Sequence, residues 1–476
     1  MACQYRRSLL YINAMNQQRA PENTRSVYFV SLGCNKNQVD SEVMLGMLEK
    51  DRYRIVYEPA SAEVIIVNTC SFIQAAQKES IDTILEMADY KINGKCKALV
   101  VAGCLPQKFS KELEKDLPEI DLMIGTGQYH RITEFLNSTN DLARLNQVLG
   151  RRSYIDQPAF IHSEKDPRIL TGASHSAYLK ISEGCNRRCT FCIIPSLRGD
   201  VRSRSVDSLV TEAKRLVESG VRELSLVAQD LTHYGIDLDS QDNLEALLPR
   251  LAEIDHLNWI RLHYVYPDQL SSELIDLISE NSKIVNYLDM PIQHTNDRIL
   301  KRMGRKLTKE RLYSVVTELR KKMPDFVFRT SIIVGFPGET VSEFEELKRD
   351  LIELSLDHVG VFRYSNEDGS AASRLDEHVP AAESKRRYEE LIDILEKISM
   401  VRNNKYIGKT VPVMIEGYSK ETELLLEGRM STQAKEVDGT VLINDIPAGL
   451  KISPGDIVTA EVTDALPYNL VARILS

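Results

Sequence analysis

Three thiols, Cys185, Cys189 and Cys192, fall within eight residues of the stretch "ISEGCNRRCTFCIIPSLRG". An odd number of cysteines cannot all pair as disulfides. The loop follows a strand-like run, "AYLKIS", and its Cys-x-x-x-Cys-x-x-Cys spacing sets three thiolates around one point. Thiolates of this kind hold iron–sulfur clusters, and a cubane with three protein ligands leaves one iron open to a small chelating molecule. Zinc is the competing reading, but a structural zinc is closed by a fourth ligand and usually draws on C-x-x-C pairs. No histidine lies nearby in sequence, although folding could deliver His233 or His263. Core cysteines gathered by chance are a third reading, and the Arg and Asn spacers, which suit a solvent-facing loop, speak against it.

A second set of thiols is dispersed. Cys34, Cys70 and Cys104 close the runs "VYFVSLGC", "EVIIVNTC" and "KALVVAGC". Each run reads as a short, fully buried parallel strand. Ligands collect at the C-terminal edge of open α/β sheets, so neighbouring strand ends would bring these three thiols together without a local motif. The competing reading is three small buried hydrophobes, a common role for free cysteine. Cys96 begins its strand, and eight residues at about 3.3 Å each put it at the opposite edge, where a structural role is expected. Cys3, in the N-terminal tail, is given no role.

The elements that must position these residues follow from the patterning. A chain of 476 residues exceeds one ordinary core. Residues 1–26 read as a polar tail without the apolar stretch of a secretion signal. Residues 27–137 alternate strand and helix, which predicts a doubly wound parallel sheet covered on both faces. Residues 138–174 have little apolar periodicity and read as a linker. From 175 to 406 about six further βα units predict a complete or partial (β/α) barrel of TIM type, with reactive groups at the C-terminal ends of its strands. Residues 407–476 are short strands and turns suited to a small antiparallel barrel. The overall expectation is a multidomain α/β protein. No run of about 18 apolar residues is present, so no membrane partner is expected and the cytoplasm is the default location.

Charge excludes some functions. The chain carries a formal net charge of −9, which disfavours a protein built chiefly to coat nucleic acid. From Lys409 onward ten acidic residues face six basic ones, a balance that suits a basic protein partner better than RNA. The basic stretch "RILKRMGRKLTKER" could touch ribosomal RNA or form the polar face of a barrel helix. "GFPGET" lacks the Lys-Ser/Thr of a P-loop, so nucleoside triphosphate binding is not expected.

The spacing of the local triad, Phe191 before its last cysteine and the position at the first barrel strand resemble the radical S-adenosylmethionine enzymes. With both triads considered, the chain resembles their methylthiotransferase branch from about Ser26 onward. The resemblance is carried by "SLGCNKNQVDSE", "VNTCSFI", "AGCLPQ", "KISEGCNRRCTFCIIPSLRGDVRSR", "LSLVAQDLTHYG", "MPIQHTNDRILKRMGR" and "RTSIIVGFPGET". It implies two 4Fe-4S clusters, one on Cys185, Cys189 and Cys192 that binds S-adenosylmethionine and one on Cys34, Cys70 and Cys104. It also implies a C-terminal TRAM barrel that grips the substrate.

Within that branch, the opening motif is similar to that of enzymes acting on the β-carbon of an aspartate in small-subunit ribosomal protein S-twelve. Asn35 stands where Pro is usual, and "GRMSTQAKEVDGTV" lacks an Asp-Ala-Pro. Both enzyme readings, this one and methylthiolation of a tRNA adenosine, imply open irons facing each other across the substrate, with the first domain's sheet edge over the barrel mouth. A non-catalytic iron–sulfur RNA-binding protein is the reading from another class. Phe191 and Gln229 are candidates for holding S-adenosylmethionine. An electron donor and a sulfur donor are implied partners, and a monomer is expected.

Overall fold

The structure, a computed structural model, describes residues 24–419 and 422–475; Cys3 and most of the polar tail lie outside them. The first sheet contains β1 (Ser26–Ser31), β2 (Arg54–Ile55), β3 (Val64–Thr69), β4 (Ala98–Gly103), β5 (Leu122–Ile124) and β6 (Ser153–Tyr154). All neighbours are parallel, in the order β2-β1-β3-β4-β5-β6. Runs such as "VIIVNT" are apolar almost throughout because both faces are covered. The helix Asn35–Lys50 packs Val43, Met44 and Leu48 on one face. The helices Gln74–Ala88 and Cys104–Asp116 pack Ile84, Met87, Leu105 and Leu113 on the other. The domain is therefore doubly wound, as expected.

The second sheet begins with β7 (Ser176–Lys180). A two-strand ribbon of β8 (Ser182–Glu183) and β9 (Arg202–Ser203) encloses the cysteine loop. The sheet continues with β10 (Glu223–Val227), β11 (Trp259–Leu262), β12 (Ile284–Asp289), β13 (Val327–Val334) and β14 (His358–Arg363). These six strands are parallel in the order β14-β13-β12-β11-β10-β7, an open, partial barrel. Alternate residues such as Leu224, Leu226, Ile260 and Leu262 enter the largest apolar core with the surrounding helices.

The third unit is a closed barrel of β15 (Thr410–Tyr418), β16 (Leu426–Arg429), β17 (Val441–Asp445), β18 (Ile457–Ala465) and β19 (Leu470–Ile474). Four of its neighbour pairs are antiparallel, and β17 with β19 is parallel.

Two features go beyond the sequence reading. Residues 138–174, expected as a linker, contribute β6 to the first sheet and then strap that domain to the core. Arg168 donates to Glu42 on one side and to Glu212 on the other, each at 2.6 Å. The segment's apolar contacts, from Leu142, Leu145 and Tyr154, are too scattered to form a period that could be read. The C-terminal barrel, in turn, docks on the N-terminal ends of the core strands. Arg429 bridges Glu223, the first residue of β10, at 2.6 Å and Glu416 at 2.7 Å. Segment 430–438 enters the lower end of the partial barrel. There Met414 and Ala434 pack with Trp259, Val285, Tyr287 and Val327. Asp438 accepts from Tyr287 at 2.7 Å and from Arg329 at 3.1 Å. The missing Asp-Ala-Pro thus falls in a joint between domains.

Candidate iron–sulfur active site

In the dispersed triad each thiol stands where a strand hands over to a helix. Cys34 is the N-cap of the helix Asn35–Lys50, Cys70 directly follows β3, and Cys104 opens the helix Cys104–Asp116. Helix N-termini favour negative charge, including thiolate. The sheet order reverses between β1 and β3, where crevices form in such folds. Gly33 and Gly103 turn the chain there with φ of +93° and +96°. A Cβ on Gly33 would lie 2.7 Å from the Cys70 Cβ, so the two loop backbones pack directly together. Burial pushes the Cys70 and Cys104 thiols up. Cys104 and Cys34 push Cys70 further, while Arg198 pulls Cys104 back.

The local triad is held by its flanks. The Cys185 N–H donates to Gly199 O at 3.0 Å and the Thr190 N–H to Met303 O at 2.9 Å. The Ile194 N–H points at Cys192 Sγ, 3.5 Å away. Burial raises Cys185 to about 11 and Cys192 to about 12, so holding these groups as thiolates requires positive charge nearby. Arg305 Nη1 lies 3.9 Å from Cys189 Sγ. Arg305 and Arg187 both stack on the Tyr266 ring, at 4.2 and 4.0 Å, and Arg187 is fixed by Asp230 and Asp268.

The donor sets fit clusters better than single ions. Each triad offers three thiols close enough to influence one another's protonation. A cubane spreads its irons and needs no common point of contact for its thiolates. His233 and His263, the candidate fourth zinc ligands, turn instead towards Asp230 and Asp289.

The two triads meet at one interface. Ile193, next to Cys192, packs with Leu197 on Cys104. Arg198 Nη2 stands 3.6 Å from Cys104 Sγ, and its Nη1 reaches Asp40 and Glu183, each at 2.9 Å. Lys180 pairs with the same two carboxylates. Two cations and two anions, all buried, join the first domain to the core. Burial works against the charge on Glu183, but Arg198 and Lys180 hold it far below the carboxylate range. Removing either cation would leave buried negative charge uncompensated, at a cost of about 3–5 kcal/mol.

Three segments match known families. Residues 26–125 match the family described as Uncharacterized protein family UPF0004, 179–351 the Radical SAM superfamily, and 407–475 the TRAM domain. Over nearly its whole length the chain is similar to proteins named ribosomal protein uS12 methylthiotransferase RimO. It is 48% identical to that of Trichlorobacter lovleyi, covering 95% of this chain and 98% of the relative. It is also 48% identical to that of Myxococcus xanthus, covering 95% and 92%.

The chain belongs to the RimO family.

A solved structure of the radical S-adenosylmethionine methyltransferase TsrM from Kitasatospora setae, with cobalamin and a 4Fe-4S cluster bound, shares the fold. Its TM-score is 0.51 at 16% identity, covering 71% of this chain and 75% of that one. Membership in the RimO family brings two 4Fe-4S clusters and S-adenosylmethionine as cofactors.

The two non-cysteine candidates have different surroundings. Phe191 packs against Ile299, Met303, Phe336 and Ala372. Gln229, just beyond β10, donates from Nε2 to Glu183 at 2.5 Å, and its buried Oε1 has no partner. "GFPGET" serves as a turn: Glu339 accepts from the Gly335 and Phe336 N–H groups, and Thr340 with Glu343 forms a capping box. The basic stretch near Arg298 is engaged internally, with Arg298 on Glu343, Lys309 on Glu346 and Arg305 beside the thiols.

Sequence reasoning missed Arg198, Lys180, Asp40, Arg305 and Lys36. One signal was available in this RimO family chain. The helix Asn35–Lys50 buries Lys36, Asn37, Asp40, Ser41 and Glu42 together with its apolar residues, and "NKNQVDSE" directly after a strand is too polar for an ordinary sheet-covering helix.

Proposed function

We propose that this chain methylthiolates the β-carbon of an aspartate in ribosomal protein uS12. In this reading Cys185, Cys189 and Cys192 hold the cluster that binds S-adenosylmethionine, with Phe191 and Gln229 beside the bound molecule. Cys34, Cys70 and Cys104 hold the second cluster. Bound there, the cofactors supply hydrogen abstraction from an unactivated carbon and the sulfur and methyl groups, which no side-chain base could provide. The chain's own residues set the stage. Arg305 and Arg198 offset thiolate charge, and Arg187, fixed by two carboxylates, orients Tyr266 at the mouth. The Asp40, Glu183, Lys180 and Arg198 cluster locks the first domain's sheet edge over the barrel.

The observation that carries the reading is the packing of Cys104 against the segment next to Cys192, in a chain similar end to end to proteins named for this reaction. A reducing electron donor and a sulfur donor are required partners. The enzyme works as a monomer in the cytoplasm, and no helix among the described residues is long and apolar enough to cross a membrane. The acidic balance of the C-terminal barrel supports a basic protein partner over RNA.

Mass spectrometry of small-subunit proteins from cells with and without the gene tests this. The expected result is a methylthio increment on one aspartate of uS12 that disappears with the gene. Unmodified uS12 together with altered tRNA nucleosides would move the substrate to RNA.

A further inference from the structure

Two lysines are buried where the first domain meets the core, and they are treated differently. Lys180 is matched by Asp40 and Glu183. Lys36 is 7% exposed, and no carboxylate among the described residues pairs with it. Its Nζ rests 3.5 Å above the Tyr264 ring, and the groups that favour its charge are the Tyr264 side chain and the Cys34 thiol. A buried ammonium is expensive to desolvate and is ordinarily paired; an aromatic face offsets only part of that cost.

The position of this charge, which has no carboxylate partner among the described residues, is informative. Lys36 is two residues from Cys34, in the first turn of the helix that Cys34 caps. Tyr264 follows β11 on the loop that also carries Tyr266, whose ring lies under Arg187 and Arg305 beside the local triad. The Lys36–Tyr264 contact therefore links the helix that begins at Cys34 to the loop beside the local triad. The reacting carbon must come between the two thiol groups, and in an aspartate a carboxylate is bonded directly to that carbon.

We propose that Lys36 is the specificity residue of this enzyme, pairing with the side-chain carboxylate of the target aspartate and thereby fixing its β-carbon. The inference rests on the reading of the chain as an aspartate-modifying methylthiotransferase. A neutral amide at the same place offers the lysine an acceptor but no charge, so Asn is disfavoured by the loss of the ion pair.

The test uses the full chain with both clusters, kept anaerobic, and two synthetic peptides of the target uS12 segment. One carries the modified aspartate and the other Asn at that position. Fluorescence anisotropy on the wild type should show about 30-fold tighter binding of the Asp peptide, the size of one desolvated charge pair. Lys36→Met should weaken the Asp peptide alone and erase the preference, and Lys36→Arg should restore part of it.

Equal binding of both peptides by the wild type overturns the proposal without reference to any variant. So does a Lys36→Met enzyme that keeps the preference, or that loses both peptides alike. A shifted reduction potential of the first-domain cluster with the preference intact would make Lys36 a counter-ion of that cluster and nothing more. Failure of the underlying reading looks different: the wild type would not methylthiolate the Asp peptide at all.

Discussion

The two thiol triads differ in how the chain assembles them. Cys185, Cys189 and Cys192 share one loop between β8 and the helix Ile194–Arg198, so their spacing is written into one segment even though Met303 helps to seat it. Cys34, Cys70 and Cys104 come from three strand ends and meet only once the parallel order β1-β3-β4 is complete. The first arrangement is a motif and the second is a property of a fold. A motif can retain its cluster when distant contacts fail. A site made by a sheet depends on every turn that aligns it.

The largest effect should come from removing the motif. Changing Cys185, Cys189 and Cys192 to Ala should abolish S-adenosylmethionine cleavage and leave about half the iron, bound by the first domain. Anaerobic iron and sulfide analysis with electron paramagnetic resonance reads both. Loss of all iron would mean that the triads are not independent.

A subtler substitution acts on the other side of the comparison. Gly103 has φ of +96°, and a Cβ there would lie 2.6 Å from Thr69 O as well as against Asn68. Gly103→Ala combines backbone strain with overpacking, about 2–5 kcal/mol in all, concentrated one residue before Cys104. The first-domain cluster should be lost or become labile while the cluster on the local loop stays. Spectra showing both clusters intact would mean that the sheet edge tolerates displacement.

The smallest effect on either triad should come from acid acting at the far end of the barrel. Burial opposes the charge on Glu223, but Arg429 and Arg261 bring it from the usual 4.5 down to about 2. A depressed carboxylate contributes stability that is complete above pH 4.5 and is lost as pH falls towards 2. The shift corresponds to about 3 kcal/mol. Glu223→Gln should flatten the part of the acid-unfolding curve in that window, as followed by circular dichroism, and leave the iron content at neutral pH unchanged.

What could be read from the sequence follows the same division. The local triad was legible because spacing alone defines it. The dispersed triad was legible through strand patterning, since near-continuous apolar runs announce buried parallel strands and each ended in cysteine. The joints between domains were not. Asp40, Lys180, Glu183 and Arg198 are drawn from three segments, and their pairing has no period or motif. β6 was hidden because a two-residue strand in a polar connection carries no hydrophobic signal. Lys36 lay in a quoted motif, but one sequence does not distinguish a solvated lysine from a buried one.

The C-terminal barrel's insertion of residues 430–438 bears on how such enzymes can be recombined. Asp438 and Ala434 reach Tyr287, Arg329 and Trp259 of the core, while Arg429 reaches Glu223. A chimera that exchanges the last domain at residue 407 would separate these partners. A transplant that retains the joint must carry the inserted segment and its contact residues on β10–β13 as one cassette, so the natural unit of exchange in this chain is larger than the domain that its sequence outlines.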